Sequence, residues 1–131
     1  MKKQIISLLI IIFSLISFHT HASEQNWKPA QDGDKIILIR HAKAPGGGDP
    51  KGFKIDDCKT QRNLDMMGIN QAKKIGKLFR EKKIKIDRVL SSQWCRCKDT
   101  AKYAFGNFKE FSALNSTYTP PYDQNEKQQI K

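Results

Sequence analysis

The first regular feature of the chain is an apolar run at residues 5–18, which follows two lysines and precedes Thr20, His21 and Ala22. A basic start, a short apolar stretch and a small residue at the end are typical of a secretory signal. We therefore expect residues 1–22 to be removed by cleavage after Ala22. The run covers 14 residues, whereas a membrane-spanning helix needs roughly 20. An uncleaved anchor is the alternative.

Beyond this run, short apolar clusters are followed by a long periodic stretch. Residues 35–39 (KIILI) are apolar in succession after the lysine, which predicts a buried strand of a parallel sheet. Residues 42–57 contain several glycines and prolines, which favour a loop. Residues 63–83 carry apolar side chains at three- and four-residue spacing, which predicts an amphipathic helix.

The later segments continue an alternation of strands and helices. They predict a strand at residues 86–90, a helix that ends near Phe105, a strand at residues 109–114 and the opening turns of a helix at residues 123–131. This order favours an α/β fold with an open, mostly parallel sheet and flanking helices. We therefore divide the chain into the signal, a turn-rich leader at residues 23–34 and one domain at residues 35–131.

The chain is strongly basic, with 24 Lys and Arg against 13 Asp and Glu and a formal net charge of +11. The densest basic stretch, residues 73–88, has the charge to bind nucleic acid or an anionic membrane surface. Its lysines lie between apolar residues at helical spacing, and no series of aromatic residues accompanies them for base stacking. We therefore interpret the stretch as a solvated helix face and expect no nucleic-acid partner and no stable membrane association after signal cleavage.

Removal of the signal would leave His41 as the sole imidazole, because the other two histidines precede the cleavage point. His41 follows Arg40 at the end of the first predicted strand, where open α/β sheets place ligand sites. A polar residue that only closes a strand is the alternative. Lysine outnumbers arginine 19 to 5, and Arg40, Arg62 and Arg96 lie where loops meet elements. Since planar guanidinium groups match phosphate oxygens, these arginines and nearby helix N-termini predict a site for a phosphoryl dianion.

Three ordered motifs coincide with the predicted elements. Residues 37–42 are ILIRHA, residues 62–72 contain RNL and GINQA, and residues 92–101 have the order Ser-x-x-x-Arg-x-x-x-Thr-Ala. Over about residues 35–106, this set resembles the histidine phosphatase superfamily, also called the phosphoglycerate-mutase-like fold. That family has an RHG motif after its first strand, a Gly-x-x-Gln-Ala helix and the same Ser, Arg and Thr spacing. The resemblance is closest to small exported members with cysteines in similar positions.

The resemblance implies a phosphatase-type hydrolase that cleaves phosphate monoesters. In the family the motif histidine attacks phosphorus and becomes a transient phosphohistidine, so His41 is implied as the nucleophile. Arg40 and Arg96 would hold the phosphoryl oxygens, and Arg62 would add a further contact. A neutral imidazole is a competent nucleophile near pH 7, and the resemblance implies no metal or other cofactor. The expected partner is a small phosphorylated substrate or inorganic phosphate, in the periplasm or outside the cell.

Two departures from the family pattern bear on activity. Ala42 replaces the motif glycine, which is a mild change where the backbone keeps a negative φ. The family also uses a second histidine after a later strand, and no histidine follows His41. We expect the chain to be the N-terminal part of a longer domain or the product of a shortened reading frame. The alternative is a complete but catalytically inactive phosphate-binding module. In both cases we expect these 131 residues alone to keep phosphate affinity and lose most of the rate.

The three cysteines are Cys58, Cys95 and Cys97. An exported protein meets oxidising conditions, and an odd count leaves at least one thiol outside an internal bond. Because Cys95 and Cys97 are too close to bridge comfortably, we expect Cys58 to pair with one of them. Such a bond closes a loop of about 40 residues and stabilises the fold by about 3–4 kcal/mol. The alternatives are free thiols and a metal site of His41 with the cysteines, whose spacing is not that of structural zinc pairs.

Overall fold

The computed structural model describes residues 27–118 and Tyr122. The proposed signal and the last predicted helix lie outside these residues. The described elements are helix α1 (Lys28–Gln31), a 3₁₀ helix (Cys58–Thr60), helix α2 (Met66–Glu81), strand β1 (Leu90–Ser91), helix α3 (Cys95–Phe105), strand β2 (Lys109–Glu110) and a second 3₁₀ helix (Ser112–Leu114). Within this part of the chain, no helix is both long enough and apolar enough to cross a membrane.

Helix α2 forms where the periodic pattern predicts a helix, but it begins three residues later, at Met66. The reason is a side-chain cap, since the carboxylate of Asp65 accepts the backbone N–H of Gly68 at 2.7 Å. The apolar stripe then faces inward, so that Ala72 and Phe79 are buried. The helix ends at Glu81, and the lysine-rich face between its buried positions is exposed, as the sequence predicts.

Helices α2 and α3 pack against each other at a glycine. A Cβ on Gly76 would lie 1.9 Å from the carbonyl oxygen of Ala104, so the two backbones approach more closely than any side chain allows. One turn further, the rings of Phe79 and Phe105 pack edge to face with centroids 5.2 Å apart. This contact between the two helices forms the centre of the described core.

The described sheet has two strands, β1 and β2, which pair in parallel with Leu90 opposite Lys109 and Ser91 opposite Glu110. Helix α3 connects them, as a parallel pair requires. Both strands lie within or next to the segments that the sequence predicts as strands, but they are shorter. The described part of the chain is therefore an α/β structure with a small parallel sheet.

The predicted strand at residues 35–39 is wrong for the described part of the chain, where that segment has no regular secondary structure and is exposed. Ile36 is 91% exposed and Leu38 is 84% exposed. An apolar, β-branched run adopts strand structure only where a neighbouring strand accepts its backbone groups, and no described residue does so. The segment instead forms one wall of an open groove of about 710 Å³, and residues 85–92 form the other.

Candidate functional site

His41 lies at the end of the exposed segment and is half-buried. Its Nδ1 atom lies 2.7 Å from the carbonyl oxygen of Ala42, and since a carbonyl only accepts, Nδ1 must carry the proton. The neutral ring therefore keeps its lone pair on Nε2. Burial lowers the pKa of His41, and the positive charges of Arg96, Arg62 and Arg40 lower it further, against the opposing effect of the Ala42 bond. The imidazole is thus neutral and nucleophilic near pH 7.

The backbone after His41 is fixed by side chains from both helices. The N–H of Ala42 donates to Thr100 Oγ1 at 2.9 Å, and the same hydroxyl donates to the carbonyl oxygen of Arg96 at 2.7 Å. The N–H of Lys43 donates to Gln71 Oε1 at 2.8 Å. Thr100 and Gln71 therefore serve to position the loop that carries the histidine.

Gly68 lets helix α2 approach this loop. A Cβ at this position would lie 2.0 Å from the carbonyl oxygen of Lys43, so only glycine fits. On the next turn Ala72 has no exposed surface at all. The spacing Gly-x-x-Gln-Ala thus combines a close approach, a hydrogen bond to Lys43 and a small buried side chain on one face of α2.

Arg96 projects from the first turn of α3 and is buried. Its Nη1 atom contacts both carboxylate oxygens of Asp49, at 2.9 and 3.0 Å, and its guanidinium lies 5.8 Å from the ring centroid of Trp94. Its Nε atom is buried and has no hydrogen-bond partner in the described part of the chain. The Nη1 side of the guanidinium is therefore held by Asp49, while the Nε–H has no acceptor among the described residues.

Arg62 is arranged in the same way on the opposite side of the loop. Its Nη1 atom donates to the carbonyl oxygen of Ala44, and its Nε atom is buried without a partner among the described residues. Buried guanidinium donors are normally satisfied, and leaving one without an acceptor is costly. Arg96 and Arg62 are also the two arginines whose charges lower the pKa of His41 most. Two unpartnered donors on these residues suit an anion with several oxygens.

Asp49 is the site residue that the sequence did not reveal. Besides Arg96, its carboxylate accepts Trp94 Nε1 at 2.9 Å and the backbone N–H of Arg62 at 2.9 Å. Burial acts to raise the pKa of Asp49, but these hydrogen bonds and the charge of Arg96 outweigh it, so the pKa is lowered and the group is ionised. In the sequence Asp49 is one of several loop acids, and only its place after three glycines marks it.

A model of the histidine phosphatase superfamily (branch 1) matches residues 36–114, which is more than half of the chain. The chain belongs to this superfamily. No match was found among the curated proteins, and none was found among the solved structures. Membership supports a phosphatase- or mutase-like function in general terms, and the motif histidine and arginines of this chain lie in one region of the structure.

The disulfide joins Cys58 to Cys95, with Cα atoms 5.6 Å apart, and Cys97 is a free thiol. Residues two apart on a helix point to nearly opposite sides. Cys95 therefore faces the loop that carries Cys58, and Cys97 lines the groove instead. No group of three or more side chains in the described residues is arranged to hold a metal ion.

Gln61 strengthens the same junction. Its Nε2 atom donates to the carbonyl oxygens of Lys54 and Ile55, both at 2.9 Å, and its Oε1 atom accepts the backbone N–H of Cys95 at 3.0 Å. The side chain is buried and all of these bonds go to backbone groups. It therefore joins the long loop to the first turn of α3, next to the disulfide and one residue before Arg96.

The structure brings three of the predicted site residues together around the loop after His41. Arg62 and Arg96 are anchored there, as described above, and both act electrostatically on the imidazole. Arg40 is exposed, yet its charge also lowers the pKa of His41. The roles assigned to these residues by the resemblance remain predictions.

Proposed function

We propose that this chain binds the phosphoryl group of a phosphate monoester and transfers it to His41. The observation that carries the proposal is the pair of buried Nε atoms on Arg62 and Arg96 that have no partner in the described chain. A phosphoryl group has three oxygens that accept such donors and a charge that offsets the guanidinium charges. The lowered pKa of His41 keeps the adjacent nucleophile unprotonated.

The reaction would proceed in two steps. The Nε2 lone pair attacks phosphorus, an N–P bond forms, and the ester P–O bond breaks in line with it. The leaving oxygen takes a proton from solvent water and departs as an alcohol, and the water that later attacks phosphorus returns a proton to solvent. Water then attacks the phosphohistidine, which releases inorganic phosphate and restores neutral His41. The Nδ1–H bond to Ala42 holds the ring in the tautomer that this attack requires.

A second candidate is a phosphate-binding module without catalysis. The observation that favours it is the anchored pair of Arg62 and Arg96, which offers donors to an anion whether or not His41 reacts. This candidate shares the arginine site and differs only in the absence of turnover.

Other expectations also remain proposals. We propose an open, mostly parallel sheet for the domain, and a periplasmic or secreted location after cleavage at Ala22. The apolar run at residues 5–18 supports export, and the disulfide between Cys58 and Cys95 fits an oxidising compartment. The partner would be a small phosphorylated substrate or inorganic phosphate, with no nucleic acid involved.

The test is hydrolysis of p-nitrophenyl phosphate by the chain and by His41→Ala, with phosphate binding measured in parallel by calorimetry. Turnover that disappears in His41→Ala, with a phosphohistidine trapped by mass spectrometry, would support the phosphatase. Phosphate binding that is lost in Arg96→Ala but kept in Arg80→Ala, with no turnover in any variant, would favour the binding module. Arg80 is a matched control because it is an exposed arginine at the far end of α2. A folded wild-type chain that neither binds nor hydrolyses would contradict both candidates.

A further inference from the structure

We propose that Asp49 is a positioning residue of the anion site, whose carboxylate holds the Arg96 guanidinium and the Arg62 backbone so that the unpartnered Nε–H groups of both arginines meet the phosphoryl oxygens. This inference rests on the proposed function. It assigns a role to a loop residue that lies outside the family motifs described above.

The geometry shows how completely Asp49 is engaged. Its two oxygens receive Arg96 Nη1, Trp94 Nε1 and the backbone N–H of Arg62, all within 3.0 Å. The side chains of Asp49 and Arg96 are 10% and 11% exposed, so their ion pair is largely shielded from water. A shielded pair with several hydrogen bonds holds its geometry far better than an exposed one.

The loop that carries Asp49 is closed at both ends by one residue. Arg62 donates through its side chain to the carbonyl oxygen of Ala44 and through its backbone to Asp49. Residues 44–49 are thus folded over Arg62, while Asp49 reaches across to α3. A single carboxylate therefore links the guanidinium of Arg96 to the backbone of Arg62, and these two residues come from different parts of the chain.

The donors are divided between protein and ligand. Arg96 Nη1 donates to the carboxylate of Asp49, and Arg62 Nη1 donates to the carbonyl oxygen of Ala44. In each arginine the buried Nε has no partner in the described chain. A guanidinium held along one edge presents its remaining donors in a fixed direction. The charges of three arginines act on His41. When the negative charge of Asp49 is subtracted, two positive charges remain, which equals in size the charge of a phosphate dianion.

Replacement of Asp49 by asparagine separates the positioning role from the effect of its charge, because the two change the affinity for phosphate in opposite directions. As a negative charge beside Arg96, Asp49 opposes anion binding, so its neutralisation alone would tighten binding. If Asp49 is a positioning residue, anion binding requires it, and its replacement weakens binding. An amide has one oxygen and adds two N–H donors, so it cannot accept all three of the present donors. Arg96 would then lose its anchor despite the gain in local positive charge.

The experiment measures inorganic phosphate binding to the full chain by calorimetry at pH 7. We expect Asp49→Asn to bind at least tenfold more weakly than wild type, and Trp94→Phe, which removes one donor to Asp49, to show a smaller loss. Asp56→Asn is the matched control, since it removes the same charge from an exposed position in the same loop and should change affinity less than twofold. Thermal unfolding followed by circular dichroism shows whether each variant is folded.

A second readout does not depend on phosphate. We expect the ¹⁵N NMR signal of Arg96 Nε–H to be sharp in wild type and to broaden or vanish in Asp49→Asn. A folded Asp49→Asn that keeps this signal and binds phosphate equally or more tightly would overturn the proposal. If Asp49→Asn does not fold, unchanged signal and affinity in Trp94→Phe would overturn it. If wild type binds no phosphate, the proposed function fails, whereas loss of the Arg96 signal would still support the positioning role.

Discussion

Replacement of Gly68 by alanine tests how the histidine loop is supported. A Cβ and an oxygen rarely approach closer than 3.0 Å, yet the new Cβ would lie 2.0 Å from the carbonyl oxygen of Lys43. Because this oxygen belongs to the backbone, no side-chain rotation relieves the overlap. Either the start of α2 or the loop must move by about 1 Å.

The size of the effect follows from three contributions. Forcing an extra carbon into a packed contact costs about 1–3 kcal/mol. A shift of that size stretches the 2.8 Å bond between Lys43 N–H and Gln71 Oε1 beyond hydrogen-bond range, which costs about 1 kcal/mol. Alanine in place of glycine within a helix returns about 1 kcal/mol. We therefore expect a net loss of about 1–3 kcal/mol in the free energy of unfolding.

The same shift acts on the site, because Lys43 is two residues from His41. A displacement of about 1 Å at a reacting group can lower a rate by about 100-fold, so any turnover should fall sharply. Urea unfolding and phosphate calorimetry measure the two effects. Gly48→Ala is the control, since nothing lies within 4 Å of a Cβ there. Unchanged stability and affinity in Gly68→Ala would refute the close approach on which the argument depends.

Three further predictions concern buried hydrogen bonds, the disulfide and pH. Thr100→Val leaves the N–H of Ala42 buried without an acceptor, so urea unfolding should show a loss of about 1–3 kcal/mol, and an unchanged midpoint would refute it. Cys58→Ser should cost about 4 kcal/mol by loop entropy, while Cys97→Ser, the control, leaves thermal stability unchanged. The pKa of His41 is lowered from 6.5, so the unfolded chain binds more protons just below that pH, and stability should decrease as pH falls through this window. An NMR titration midpoint at or above 6.5 would contradict it.

The sequence predicts the helices of this chain better than its strands. A helix satisfies its own backbone groups, and an amphipathic pattern with a cap such as Asp65 is enough to locate α2. A strand depends on a neighbour that can lie far away in the chain. The apolar run at residues 35–39 has strand composition, but no described residue pairs with it. Local composition alone could not reveal that difference.

The candidate site shows the same division. His41 and the arginines can be selected by residue type, because the only other histidines precede the predicted cleavage point and arginine is scarce in this chain. Asp49 could not be selected in this way, because other acidic residues occupy the same loop. Its partners Trp94 and Arg96 also lie more than 40 residues away in the sequence. Sequence reasoning also left Cys58 with two possible partners. The position of Cys95 on the side of α3 that faces the loop decides between them.

The exposed segment at residues 35–39 is a place where we expect proteases to cut the chain. Proteases bind extended chain whose backbone groups are free, and exposed segments of this kind are preferred sites of nicking. This stretch is exposed and without regular secondary structure, it begins with Lys35, and Arg40 follows it; trypsin recognises both residues. Cleavage after Arg40 would separate that arginine from His41 and leave the imidazole next to a new chain terminus. A ligand or partner that covers this segment would therefore protect the histidine from proteolysis.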